Sequence, residues 1–119
     1  MPKQNLVECS FLIPVRRDAN LSDGKIHAPE LWAWLDEELL DRFYGRTVAP
    51  GRYEGFYVDP DTQEKVSDES MRFVVAVERA DLRDLRDLLS AACVEFQQKC
   101  IYLSVGGKVE FIEGPKDGS

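Results

Sequence analysis

Apolar and polar positions alternate from the start of the chain. Val7, Cys9, Phe11, Ile13 and Val15 interleave with Glu8, Ser10, Leu12 and Pro14. A period of two over Leu6–Val15 predicts a strand with one firmly buried face. Pro14 marks the place where its ladder stops or has an edge. The period then lengthens. From Pro29 to Phe43, Leu31, Trp32, Leu35, Leu39 and Phe43 fall within one arc at 100° per residue, which predicts a helix. Pro29 suits its first position, Glu30 suits the positive end of its dipole, and Gly45 suits its stop. Arg52–Val58 reads as a second strand with aromatic bulk from Tyr53, Phe56 and Tyr57. Met71–Glu78, with its Val74-Val75-Ala76-Val77 run, reads as a central strand. Leu82–Gln98 reads as a second helix, capped by Asp81 with Asp84 three residues on. Leu82, Leu85, Leu88, Leu89, Ala92, Cys93 and Phe96 share its face, and Arg83, Arg86 and Asp87 point away. Between these elements, Thr47–Gly51 reads as a connector, and Asp59–Lys65 with the polar run to Ser70 as a turn and loop.

The last regular stretch is a hairpin, Cys100–Val105 and Lys108–Ile112, folded at Gly106-Gly107. A two-residue loop would put Leu103 opposite Glu110 and Val105 opposite Lys108, mixing charged and apolar residues on one face. A three-residue loop, Val105-Gly106-Gly107, pairs Leu103 with Val109 and Ile101 with Phe111. It unites Ile101, Leu103, Val109 and Phe111 on one face and is the preferred register.

The order is strand, helix, strand, strand, helix, strand, with a final strand folded back. That is the order of a ferredoxin-like α+β sandwich, βαββαβ, with two helices on one face of an antiparallel sheet and an extra C-terminal hairpin strand. The first and third strands are then central, and Cys100–Val105 lies beside the first. The whole chain, 1–119, reads as one domain, with a core over about 6–112 and a flexible tail from 113.

Composition narrows the function. An apolar share of 44% and a charged share of 31% suit a self-sufficient fold. The net charge of −7 disfavours nucleic acid and anionic membrane surfaces, since phosphate contacts need clustered Lys and Arg. No apolar run reaches the roughly 18–20 residues of a spanning helix, and the N-terminus lacks a signal-peptide layout, so a cytoplasmic location is expected. Cys9, Cys93 and Cys100 form no CxxC pair and read as reduced, buried thiols. With His27 the sole histidine, no metal site and no cofactor site is read.

The Glu30-Leu31-Trp32-Ala33-Trp34-Leu35 helix, the following Thr47-Val48 segment, the turn after the second strand and the Leu-rich second helix together resemble small bacterial proteins of ferredoxin-like build that carry no assigned activity. The resemblance covers most of the chain. It implies a fold and carries over no catalytic residue.

Five groups of residues stand out as candidates. Arg16, Arg17 and Asp18 open the loop after the first strand, a usual place for an anion cradle built from guanidinium forks. The plain alternative is a solvated turn in which Arg17 and Asp18 pair. His27 precedes the first helix, as an acid or base across that loop or as an exposed or capping residue. Trp34 lies off the apolar arc, among Glu30, Glu37, Glu38 and Asp41. It reads either as a partner contact or as a ring shielded under the 46–51 connector. Asp59, Asp61, Glu64, Asp68 and Glu69 make an acidic stretch. A calcium loop needs glycine sixth and glutamate twelfth, where this one has Glu64 and Ser70, so a solvated turn is read. Finally, Leu12, Val74, Ala76 and Tyr102 would line an outer sheet face too apolar to stay bare. The first function this allows is a non-catalytic module that pairs with itself or another protein through Trp34, Leu12, Val74 and Tyr102. The second is a small enzyme or anion-binding domain using Arg16, Arg17, Asp18 and His27.

Overall fold

The computed structural model of the chain describes residues 5–116. The elements are β1 (Leu6–Pro14), α1 (Pro29–Phe43), β2 (Thr47–Val48), β3 (Tyr53–Val58), β4 (Lys65–Glu78), α2 (Leu82–Glu95), β5 (Cys100–Val105) and β6 (Lys108–Glu113), with a single 3-10 turn at Arg79–Asp81. The sheet is six-stranded and antiparallel, in the order β2-β4-β1-β5-β6, with β3 also paired to β4. This is the expected ferredoxin-like α+β sandwich, with β1 and β4 central and β5 beside β1.

One hydrophobic core joins both helices to one face of this sheet. Val7, Cys9, Phe11 and Ile13 of β1 pack with Phe73, Val75 and Val77 of β4 and with Ile101 and Leu103 of β5. Leu35, Leu39 and Phe43 of α1 and Leu85, Leu88, Leu89, Ala92 and Cys93 of α2 close it. Phe11 and Phe73 stack at 5.2 Å in its middle. Each such fully buried side chain stabilises the fold by about 1.5–3 kcal/mol.

Three expectations change here. The hairpin uses the two-residue loop after all. Val105 pairs with Lys108, Leu103 with Glu110 and Tyr102 with Phe111. Gly106 and Gly107 have φ of 55° and 90°, the pair of positive values that a type I′ turn demands. The mixed face is tolerated because Glu110 is paired: Arg86 of α2 donates to it twice, at 2.8 and 2.9 Å. Arg86 thus reaches the sheet edge and does not point away. Second, β4 begins at Lys65, well before Met71, because its polar first half has β3 as a partner and no core to face. The 47–51 connector also contains a short strand, β2, paired to β4 at Val74 and Phe73. Third, α2 ends at Glu95, and Gln97 takes a left-handed φ of 52°. Asp81 makes no side-chain cap, and Asp84 pairs instead with Arg42 of α1.

On the Lys65 side of Ser70 the sheet narrows to two strands. Ser70 pairs with both Pro14 of β1 and Tyr53 of β3, and residues 65–69 pair with β3 alone. β3 and the first half of β4 therefore form a two-stranded arm that projects past the end of β1.

Candidate functional site

The arm and the loop after β1 enclose a cleft of about 560 Å3. Pro14, Val15, Arg16, Arg17, Asp18, Ala19 and Gly24 form one side, and Glu54–Tyr57 with Val66–Glu69 form the other, with Gln98 also lining it. A strand end and a projecting arm are both needed to make such a hollow. The connection between β1 and α1, residues 15–28, is held in place by backbone bonds: Arg17 N–H donates to Lys25, and Asp18 N–H to Gln97, at 2.8 and 3.0 Å. Gln98 is buried and donates to the Arg16 carbonyl at 2.8 Å, so the end of α2 fixes the same loop.

The far end of the arm is tied down by Asp59. This residue is wholly buried. Its Oδ2 accepts from Asn20 Nδ2 at 2.7 Å and from Lys99 Nζ at 3.0 Å. Its Oδ1 accepts from the backbone N–H of Asp61 at 2.8 Å. Lys99 also pairs with Asp61 at 2.8 Å. The Asn20 bond, the Asp61 amide and Lys99 together hold the Asp59 carboxyl well below the usual carboxylate range. The acidic stretch read as a solvated turn is thus, at Asp59, a buried tie between the arm, the β1–α1 loop and the start of β5. Among the described residues no group of three or more His, Cys, Asp or Glu is arranged to hold a metal ion.

Inside the cleft the charges are unequal in their pairing. Arg17 is occupied by Asp23 at 3.3 Å, although its Nε is buried without a partner. Asp18 accepts from the Asn20 amide at 2.7 Å, and Glu69 lies 3.6 Å from Arg52. Asp68 is different. It is half-buried and accepts no hydrogen bond from any described residue, and burial alone pushes its pKa up. Tyr57 lies in the same acidic surroundings. Burial, then the charges of Asp18, Asp59 and Asp68, raise its hydroxyl pKa. A Cβ at Gly55 would stand 3.5 Å from Asp68 Oδ1, so the glycine leaves the carboxyl uncovered from that side. An uncompensated carboxyl beside a phenol in a cleft is the kind of arrangement found at binding sites.

The structure brings Arg16, Arg17 and Asp18 together on one wall of the cleft, as a site at the end of β1 requires. The plain alternative pairing does not occur, since Arg17 bonds to Asp23. His27 is not in the cleft. It is buried behind it, donating Nε2–H to the Pro14 carbonyl at 2.8 Å, with rings of Trp32 and Phe96 edge-on at 5.6 and 4.9 Å. Trp34 is half-buried against the core, its ring 6.3 Å from Phe96. Leu12 and Val74 are half-buried, whereas Tyr102 is exposed and meets Phe111 edge-on at 5.8 Å. Cys100 is exposed, against the expectation of burial, and all three thiols are free. Sequence reasoning did not single out Glu54 and Tyr57 for the site, and it read Asp68 and Glu69 as part of a solvated turn. The alternation of Val66, Asp68 and Ser70 with Lys65, Ser67 and Glu69 was the available signal, too polar to suggest a strand.

Comparison with known proteins bears on fold alone. No family model and no curated protein matches the chain. Two solved structures do. A phage SAM lyase in complex with S-methyl-5'-thioadenosine superposes with a TM-score of 0.71 at 11% identity, covering 96% of this chain and 94% of the other. A phage SAM lyase in the apo state superposes with a TM-score of 0.63 at 10% identity, over 98% and 97% of the two chains. The chain therefore shares its fold, over nearly its whole length, with a small enzyme.

Proposed function

We propose that this chain is a small enzyme whose cleft takes a cationic nucleoside-bearing molecule of the S-adenosylmethionine type and breaks a carbon–sulfur bond in it. The observation that carries the reading is the unpaired, half-buried carboxyl of Asp68 beside Tyr57 in the cleft. A sulfonium is a fixed positive charge with no proton to donate. A carboxylate in a poorly hydrated hollow attracts it more strongly than one in water, and an aromatic face adds cation–π attraction. Tyr57 offers a surface for a purine, and Arg16 and Arg17 suit a substrate carboxylate at the other end. The carbon–sulfur electron pair leaves with the sulfur as a neutral thioether, so the leaving group needs no general acid, and the substrate's own carboxylate oxygen forms the new bond to the vacated carbon, closing a lactone. What the protein supplies is position and charge. The fold neighbours support the substrate class, and they lend a non-catalytic module no support.

Titration calorimetry with S-adenosylmethionine and with S-methyl-5'-thioadenosine, followed by chromatography of the incubated mixture, tests this. Both ligands are expected to bind, with the thioether nucleoside accumulating from the sulfonium. Asp68→Asn should weaken S-adenosylmethionine binding about tenfold or more, the size of a lost charge-assisted contact. S-methyl-5'-thioadenosine, which lacks the charge, should lose less. The same variant should fold at least as stably, because an uncompensated buried carboxyl is removed. Failure of both ligands to bind, or unchanged sulfonium affinity in Asp68→Asn, would overturn the proposal.

The outer sheet face favours a second, compatible reading. Tyr102, Val109 and Phe111 form an apolar strip on β5 and β6, exposed by 36, 51 and 62%. A second copy of the chain is the partner proposed for it.

A further inference from the structure

We infer that the β3–β4 arm is a strap hinged at Glu69–Ser70 and latched at its tip, and that Asp59 is the positioning residue on which the shape of the cleft depends. The inference rests on the reading of the cleft as a ligand site, but its first test does not.

Among the described residues, the arm's hydrogen bonds to the rest of the chain lie at two places. At its root, Glu69 accepts from the Val15 amide at 2.9 Å and Ser70 pairs with Pro14. At its tip, Asp59 and Asp61 meet Asn20 and Lys99. Between them every residue of β3 is exposed, and no side chain of the arm belongs to the hydrophobic core. A two-stranded ribbon without a packed face has little stability of its own. Its apolar residues do not compensate: Phe56 is 69% exposed, with only the Lys65 ammonium over its ring at 4.3 Å. The arm therefore crosses the end of β1 because its tip is tied to Asn20 and Lys99.

The tie is built to carry that role. Asn20 belongs to the β1–α1 loop and Lys99 to the start of β5, so Asp59 joins three segments far apart in sequence. The six-residue turn that presents it is itself closed, with Asp59 N–H donating to Glu64 O at 2.9 Å and Gln63 N–H to Asp59 O at 2.8 Å. The turn can move as one body. Releasing one carboxylate would free the tip while leaving the turn and the core whole, and the wall that carries Tyr57 and Asp68 would swing with it. Segments with few apolar contacts and exposed hydrogen bonds open at low free energy, independently of the core.

Native-state hydrogen exchange on the full chain tests this without ligand. Asp59→Asn keeps a carbonyl for the Asp61 amide but loses the charge that holds Lys99, and Lys99→Met removes the cation alone. In both, amides of residues 53–58 and 65–69 are expected to exchange about tenfold faster, while those of β1 and of residues 71–78 keep their rates. Unchanged exchange in the arm in both variants would overturn the inference. So would equal acceleration of the arm and β1, which would make the arm part of the core's cooperative unit. Affinity for S-methyl-5'-thioadenosine should fall about tenfold in Asp59→Asn with the core rates intact. If the arm loosens as expected and S-methyl-5'-thioadenosine binds neither protein, the strap stands and the proposed substrate class falls.

Discussion

Single residues behave here according to what surrounds them in space. His27 is the clearest case. It is 5% exposed and donates Nε2–H to Pro14, while its Nδ1 is buried without a partner. Burial first, with Arg17 adding to it and the Pro14 bond opposing, holds its pKa below the ordinary value. The unfolded chain therefore takes up the proton more readily, so acid favours unfolding. Stability from this residue is complete above about pH 6.5 and declines as the pH falls below it. Urea midpoints measured from pH 7.5 to 5 should fall in the native chain. His27→Gln, which retains a donor for Pro14 and cannot be protonated, should show a flatter profile over that window. Equal slopes would mean that His27 does not titrate on unfolding. No feature of the sequence distinguishes this buried neutral imidazole from an exposed one, because its neighbours Trp32 and Phe96 arrive from two helices. Asp59 and Asp68 make the same point. They lie in one acidic stretch, yet one is fully bonded and the other unpaired.

At the scale of elements, the hairpin is instructive. Register was inferred from the rule that apolar residues share a face, and the rule failed because β6 is an edge strand. Its inward Glu110 meets Arg86, and its outward Val109 and Phe111 lie on an uncovered surface. Turn chemistry was the better guide: two adjacent glycines permit positive φ at both positions. The glycines are not equivalent. A Cβ at Gly106 would meet Val7 Cγ2 at 3.0 Å, while one at Gly107 meets nothing within 4 Å. Both substitutions strain the backbone. Gly106→Ala should cost about 1–3 kcal/mol and exceed Gly107→Ala in denaturant unfolding. Equal costs would mean that Val7 moves aside freely. The β3–β4 arm was half missed for a related reason. Period-two alternation signals a strand only where one face meets a core, and residues 65–69 meet none.

The whole molecule makes the site from parts that mean little alone. The cleft takes its walls from the end of β1, the arm and the end of α2, joined at Asp59. The uncovered face of β5 and β6 is a second product of assembly. Multi-angle light scattering should detect self-association that falls with Tyr102→Glu, since a charge placed in an apolar interface costs several-fold in affinity. A monomer at every concentration would exclude pairing through this face.

By itself the sequence determined the two helices, three core strands, the closing hairpin and the ferredoxin-like order. Burial imposes periods of 2 and 3.6 on any chain that must cover one face of a strand or helix, and those periods survive in one dimension. It also placed Arg16, Arg17 and Asp18 in the loop after β1, which lines the cleft. Only the tertiary structure decided that the Asp68 carboxyl has no partner among the described residues, that the Asp59 carboxyl accepts from Asn20, Lys99 and the Asp61 and Thr62 amides, that His27 is sealed behind the cleft, and that Glu110 faces inward. Pairing of charges and exposure of polar groups depend on distances between segments remote in sequence, such as Asp59 and Lys99, and local patterning does not encode them.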